Sequence, residues 1–179
     1  RVQRAAEAQA YLGFVELLLA RLDIATGQSE RGIAQLEGLY KSFREAGDQV
    51  ASLEVAIDLS DALIRIGQYS RALELVDAAQ RDAGGSAAFF AAATARVRSQ
   101  AQWGLGDAEA AWSEAKDGLS AAIGAGQPYE EALLRQWRVR LASESGSDVD
   151  AMDARRLREL LRRLGIEPEP AKLVQAIQS

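Results

Sequence analysis

The residues with the clearest capacity for chemistry are two carboxylate pairs, Glu130 with Glu131 and Asp58 with Asp61. Paired carboxylates can act as general acid and base or hold a magnesium ion. However, Glu130 and Glu131 fall in the opening turn of a predicted helix, where acidic side chains stabilise the helix dipole. Asp58 and Asp61 have no third ligand converging on them in the sequence. We therefore expect neither a catalytic residue nor a metal site in either pair.

Two residue types that dominate enzyme sites are missing. The chain of 179 residues has no histidine and no cysteine, so it lacks the commonest general base, the thiolate nucleophile and most zinc-site ligands. Catalysis would need Asp, Glu, Lys, Arg, Ser, Thr or Tyr alone. Gly84-Gly85 is no phosphate-binding loop, because no Gly-Lys-Ser/Thr follows. The sequence predicts a protein that is not an enzyme and that uses no cofactor.

One segment near the carboxyl end is rich in arginine. Glu159 lies one helical turn from Arg155 and one from Arg163, which favours intrahelical ion pairs on a solvent-facing helix over a nucleic-acid site. Residues 128–164 contain 8 basic and 7 acidic side chains, a balance that leaves no strong field for steering a phosphate. The net charge of -5 argues against nucleic-acid binding by the surface as a whole. The arginines of this segment are Arg155, Arg156, Arg158, Arg162 and Arg163.

The composition predicts an all-α protein. Hydrophobic residues make up 48% of the chain, charged residues 26%, and there are only 3 prolines, so helix formers outnumber strand formers. No apolar run approaches the roughly 20 residues that span a bilayer, and no signal-peptide pattern is present. We expect a cytoplasmic location and no membrane partner.

Glycines divide the chain into regular segments. Gly27, Gly67, Gly106 and Gly146 form one evenly spaced series. A second series, made of Gly47, Gly85, Gly126 and Gly165, falls midway. Glycine commonly ends a helix because it adopts the left-handed conformation without a Cβ penalty. Two series of stops therefore predict two helices in each repeat of about 40 residues.

The glycine positions fix the predicted boundaries. The repeats cover about 1–46, 47–85, 86–126 and 127–165, and residues 166–179 form a cap or linker with a short helix at 171–178. Helix starts are predicted at Asp48, Ser86, Pro128 and Asp148. The predicted helices are 2–26 with 29–46, 48–66 with 69–83, 86–105 with 108–125, and 128–144 with 148–164.

Apolar residues recur at helical spacing within these segments. One face joins Val50, Leu53, Ala56, Ile57, Ser60, Leu63 and Ile64, and the next joins Ala72, Leu75, Val76 and Ala79. Trp112 and Trp137 fit core positions. Short connections make neighbouring helices antiparallel, and stacked pairs of this kind build a right-handed superhelical solenoid.

These repeats resemble the tetratricopeptide repeat. The resemblance is clearest in Gly67-Gln68-Tyr69-Ser70-Arg71-Ala72 with Val76 and Ala79, and it extends to Gly106-Asp107 with Ala111 and Ala115. Gly27-Gln28 and Gly146-Ser147 fit less closely, and the first-helix Trp-x-x-Leu-Gly is missing. The period is also longer than the one usual for that family. The resemblance implies a helical repeat that binds other molecules.

The long variant of the repeat is similar to the sensor regions of large bacterial signalling proteins that combine an ATPase module with a DNA-binding or nucleotide-cyclase domain. Residues 126–133 and 160–166 carry that similarity. It implies a protein-interaction or ligand-sensing fragment of a longer bacterial cytoplasmic protein, with a protein, a peptide or another domain of the same protein as partner.

In this class the first helix of each pair lines the concave wall. We expect Arg96 and Arg140 to hold a carboxylate or phosphate of the partner, and Trp103 to add an apolar contact. Alternatively, the arginines are solvated and Trp103 packs against the next helix pair. The candidate binding residues are Arg21, Glu54, Asp61, Arg65, Arg96, Gln100, Trp103, Gln136 and Arg140.

An alternative function is self-association. The first helix is very apolar, and such a face could join copies of the chain as a homo-oligomer. The residues of this face are Tyr11, Leu12, Phe14, Val15, Leu17, Leu18 and Leu19.

Overall fold

The computed structural model describes the backbone of residues 2–166 and the side chains of residues 12–166. Throughout that range the regular structure is helical, which confirms the all-α class. All but the first residue of the predicted cap or linker lies outside the described residues, as does the helix predicted at 171–178. The helices are α1 (Val2–Ala25), α2 (Ser29–Glu45), α3 (Gln49–Arg65), α4 (Tyr69–Ala83), a 3-10 helix (Gly84–Phe90), α5 (Ala91–Gly104), α6 (Ala108–Gly124), α7 (Pro128–Ser145) and α8 (Ala151–Leu164).

The helices end largely where the glycines predicted. Positive φ angles occur at seven of the eight predicted stops, but the stop after α4 is Gly84, with φ 52°, rather than Gly85. Residues 84–90 then tighten into the 3-10 helix, so α5 begins at Ala91 and the start predicted at Ser86 is wrong.

Aspartate side chains cap α3, α6 and α8, whereas α2, α4, α5 and α7 begin without a side-chain cap. Asp48 is confirmed as a cap, since its Oδ1 accepts from the Ala51 amide at 3.0 Å. Pro128 opens α7 as predicted. The start predicted at Asp148 is wrong because Asp150 caps α8 instead, accepting from the Met152 amide at 2.8 Å. The sequence contained both aspartates, and only the local backbone decides which of them caps the helix.

The described chain divides into two compact units, one up to Ala88 and one from Phe89 onward. In the first unit α1 contacts α2 and α3, and α3 contacts α4. Val50, predicted on the apolar face, is exposed at the start of α3. The core of this unit consists of Leu17, Ala20, Ile33, Leu36, Leu39, Val55, Leu59, Ala62, Leu63 and Ala72.

In the second unit α5 contacts α6 and α7, α6 contacts α7, and α7 contacts α8. Trp137 is buried with Leu141, which confirms it as a core residue, whereas Trp112 is only partly buried and packs against this cluster. Leu157, Leu160 and Leu161 bury the inner face of α8. None of the described helices is long and apolar enough to cross a lipid bilayer.

The same close contact recurs at the crossing of paired helices. Ser60 Oγ donates to the Ala72 carbonyl at 3.1 Å, and Ser99 Oγ donates to the Ala111 carbonyl at 2.6 Å. Ala20 and Gly32 occupy the matching place between α1 and α2, where a Cβ on residue 32 would lie 2.8 Å from the Ala20 carbonyl oxygen. The sequence separation is the same in each of these contacts, so the glycine period corresponds to a repeated packing geometry.

Candidate binding surfaces

The predicted binding residues of the first unit lie on α1 and α3. Arg21 donates through Nε to Asp58 Oδ2 at 2.8 Å, and its Nη2 lies 3.6 Å from Glu54 Oε1. Asp61 follows Asp58 by one helical turn and adds to its electrostatic environment. Arg65 is exposed at the end of α3. The structure therefore brings Arg21, Glu54 and Asp61 together, around an aspartate that the prediction did not include.

Asp58 has an unusual electrostatic setting. Its side chain is largely buried, and burial raises the pKa of the carboxyl above its ordinary value, although the hydrogen bond and charge of Arg21 oppose the shift. The guanidinium of Arg21 is thus already paired with a carboxylate of the same chain. A ligand carboxylate at this place would have to compete with Asp58.

In the second unit Arg96 is buried, with 7% of its surface exposed. Its Nε donates to Glu130 Oε2 at 3.2 Å, so its charge is matched by a carboxylate of the same chain. Gln100 and Gln136 are partly buried on α5 and α7. The sequence interpretation of Glu130 as a first-turn acid did not reveal this contact, because its partner lies on a helix that is distant in the sequence.

Trp103 and Arg140 meet through Glu144, which the sequence analysis did not select. Trp103 Nε1 donates to Glu144 Oε2 at 2.7 Å, and Arg140 Nε donates to Glu144 Oε1 at 2.6 Å. The Arg140 guanidinium also lies over the ring of Trp137, 5.7 Å from its centroid. Trp103 packs beside the cluster containing Trp137, which corresponds to the alternative in which it packs against the next helix pair.

A buried ionic network joins α7 and α8. Glu131 Oε1 accepts from Arg135 Nε at 3.0 Å and from Arg156 Nε at 3.1 Å. Asp153 accepts from Arg138 Nε at 2.7 Å and also from Arg135. Burial raises the pKa of Glu131, but the hydrogen bonds and charges of Arg156 and Arg135 outweigh that effect, so the net pKa is lowered. This network is structural, since both carboxylates are enclosed.

The arginines of α8 form other pairs than those predicted. Arg156 Nη1 donates to Glu159 Oε2 at 2.9 Å, within the same helix, and the same guanidinium reaches Glu131 of α7. The ion pairs predicted to Arg155 and Arg163 are replaced by this contact. Arg156 thus ties α8 to α7 in addition to stabilising its own helix.

The outward side of α1 is apolar and exposed. Its large side chains keep between 45% and 57% of their surface exposed, whereas Leu17 and Ala20 of the same helix are in the core. Leu17 therefore does not belong to the face that the sequence predicted, and the side chain of Tyr11 lies outside the described residues. We call this surface the outer α1 face; it comprises Leu12, Phe14, Val15, Leu18, Leu19 and Leu22.

A shallow groove runs beside the outer α1 face. Glu16 and Leu19 line it from α1, and Ala34, Gly38 and Ser42 line it from α2. Gln35 also lines the groove, and its Oε1 is buried without a hydrogen-bond partner. Buried polar atoms normally find a partner, so this oxygen is an exception to the usual pairing.

Among the described residues no three acidic side chains lie close enough together to hold a metal ion. The fold and surfaces define an all-helical protein of two compact units. No family model, curated protein or solved structure matches this chain.

Proposed function

We propose that this chain is a non-catalytic protein-interaction module, built from antiparallel helix pairs stacked as a solenoid of the tetratricopeptide kind, and that it works in the cytoplasm. The observation that carries the proposal is the outer α1 face. Its large apolar side chains stand about half exposed along three turns of one helix. Covering a half-exposed side chain of this size contributes roughly 1 kcal/mol, so the face can supply substantial binding energy.

A comparison between helices supports this interpretation. The solvent side of α8 is charged, with Arg155, Arg158 and Glu159 exposed, as expected for a helix that faces water. Between Leu12 and Leu22 of α1, by contrast, six large apolar side chains are exposed, and the exposed charged side chains are Glu16 and Arg21. Contiguous exposed apolar surface marks an interaction site in soluble proteins.

The repeated contacts support the solenoid architecture. Ser60 with Ala72 and Ser99 with Ala111 place small residues where paired helices cross, as the tetratricopeptide pattern requires. Each unit also brings the first helices of successive pairs into contact, α1 with α3 and α5 with α7. Arg65 of the first unit and Arg140 of the second remain exposed on these helices, and each is proposed as a further contact residue within its own unit.

Self-association is the second candidate function, and the spacing of the outer α1 face favours it. The spacing along the helix is three, four and three residues between Leu12, Val15, Leu19 and Leu22. The pattern is therefore the same in both directions. Two antiparallel copies of α1 would pair Leu12 with Leu22 and Val15 with Leu19, as in the layers of an antiparallel coiled coil.

The experiment compares three baits: the unaltered chain, a Val15→Glu/Leu19→Glu variant and a Leu105→Glu/Ile123→Glu control. The control residues are similarly exposed apolar side chains in the second unit. Proteins captured from lysate are identified, purified and titrated against each bait by calorimetry, after circular dichroism has established equal helicity. Light scattering over a concentration series measures self-association.

We expect a protein partner whose affinity falls at least tenfold for the α1 variant and stays unchanged for the control. A homo-oligomer lost only in the α1 variant would support the second candidate. The proposal fails if the partner binds all three baits equally, or if no bait binds a protein and all are monomeric.

A further inference from the structure

The outer α1 face has a counterpart inside the same chain. Gly27 and Gly67 end α1 and α3 in the same way, and alignment of these two glycines pairs Val15 with Val55, Leu19 with Leu59 and Leu22 with Ala62. Val55, Leu59 and Ala62 are 1%, 2% and 3% exposed, whereas Val15, Leu19 and Leu22 are 49%, 50% and 56% exposed. Equivalent positions of two successive first helices are therefore covered in one case and open in the other.

The structure also identifies what covers the counterpart. Val55 and Leu59 share a core cluster with Ile33, Leu36 and Leu39 of α2. Only a short turn joins α2 to α3, so α2 turns back along α3 and runs in the opposite direction. The covering element is thus an amphipathic helix with Ile and Leu one helical turn apart, polar on its other side.

We infer that the outer α1 face binds an amphipathic α-helix of the α2 kind, running antiparallel to α1. The inference rests on the proposed function and names the chemistry of its partner. The partner helix presents a stripe of Leu or Ile to Val15, Leu19 and Leu22. Its other side remains polar.

The groove between α1 and α2 supplies an independent argument. Leu19 belongs both to the outer α1 face and to the groove, so a helix seated on the face also meets Ala34, Gly38 and Ser42 of α2. These short side chains allow close approach of a helix.

The test supplies the partner helix within the same chain. In a chimaera, a second copy of residues 29–48 replaces residues 1–8 and is joined directly to Gln9. The added copy of α2 is then connected to α1 by the same turn that connects α2 to α3. The alignment of Gly27 with Gly67 makes Gln9 the counterpart of Gln49, the first residue of α3. A matched control carries Leu36→Glu in the added copy alone, which leaves length and connection unchanged.

We expect the chimaera to melt about 4 °C or more above the control, since 1 kcal/mol shifts the melting temperature of a chain of this size by roughly 2–4 °C. We also expect it to bind at least threefold less 1-anilinonaphthalene-8-sulfonate, a dye that reports exposed apolar surface. Equal melting temperatures and equal dye binding in chimaera and control would overturn the inference, even if the three-bait comparison had identified a partner at α1.

Light scattering of the unaltered chain measures its oligomeric state and so tests whether a second copy occupies the outer α1 face. A monomer, or an oligomer that Val15→Glu/Leu19→Glu leaves intact, agrees with the inference. A dimer that this variant abolishes, combined with a chimaera that still dimerises, would make a second copy of the chain the occupant and would also overturn the inference.

Discussion

At the scale of single residues, the charged groups show what a sequence can and cannot predict. Glu131 and Arg135 lie one turn apart on one helix, so their ion pair was available from the sequence. The contact of Glu131 with Arg156 could not be predicted from the sequence, because it joins two helices whose rotation about their axes is set by packing. Arg96 shows the same limit: its type suggested a ligand site, and its burial against Glu130 emerges only from tertiary structure.

The Glu131 network predicts an acid-sensitive contribution to stability. Glu131→Gln keeps the shape of the side chain but removes the charge that faces two guanidinium groups, so we expect the free energy of unfolding to fall by about 1.5–3 kcal/mol at neutral pH. Glu159→Gln, at an exposed position, should cost under about 1 kcal/mol. Urea denaturation of both variants measures the difference.

The stability lost in the Glu131→Gln variant depends on pH through the pKa of Glu131. Because the folded-state pKa of Glu131 is lowered from its ordinary 4.5, its ionised form stabilises the fold above that pH, and the contribution is lost as the pH falls through the folded pKa. The difference in the free energy of unfolding between the unaltered chain and Glu131→Gln should therefore decrease below about pH 4.5. A cost that is the same at pH 7 and at pH 3 would contradict the ionic role.

At the scale of elements, helix stops were predictable and the connection between α4 and α5 was not. Seven of the predicted stop glycines adopt the expected positive φ. Gly84-Gly85 offers two glycines, and local geometry selects the first. The 3-10 helix that follows has no periodic signature of its own, so the sequence predicted a continuous α-helix from Ser86.

Gly84 and Gly85 form a matched pair for testing this assignment. Gly84 has φ 52° and ψ -129°, a conformation that side chains with a Cβ rarely adopt, whereas Gly85 has an ordinary φ and open space where a Cβ would lie. We expect Gly84→Ala to lower the free energy of unfolding by about 1–2 kcal/mol and Gly85→Ala to change it by less than about 0.5 kcal/mol. Thermal or urea unfolding of each variant provides the comparison, and the reverse order would place the helix stop at Gly85.

At the scale of the whole molecule, the glycine period predicted the succession of helices, because each stop and start is a local property. The division into units was not predictable in this way, since it depends on which helices share a core. The sequence did indicate that α1 is very apolar. Only the structure separates Leu17, which is in the core, from Leu18 and Leu19, which are exposed.

The measurement that tests the central claim most directly is the reactivity of a single cysteine on the outer α1 face. The natural chain has no cysteine, so Leu19→Cys introduces one reporter thiol, and Leu59→Cys places its counterpart in the core. Each is reacted with a maleimide in the unaltered background and in the chimaera with the added α2 copy.

We predict that the thiol of the Leu19→Cys variant reacts rapidly in the unaltered background and at least tenfold more slowly in the chimaera, while the thiol of Leu59→Cys is protected in both. That result would mean that the outer α1 face is built to be covered by a helix. Equal, rapid reaction of the Leu19→Cys thiol in both backgrounds would contradict the account.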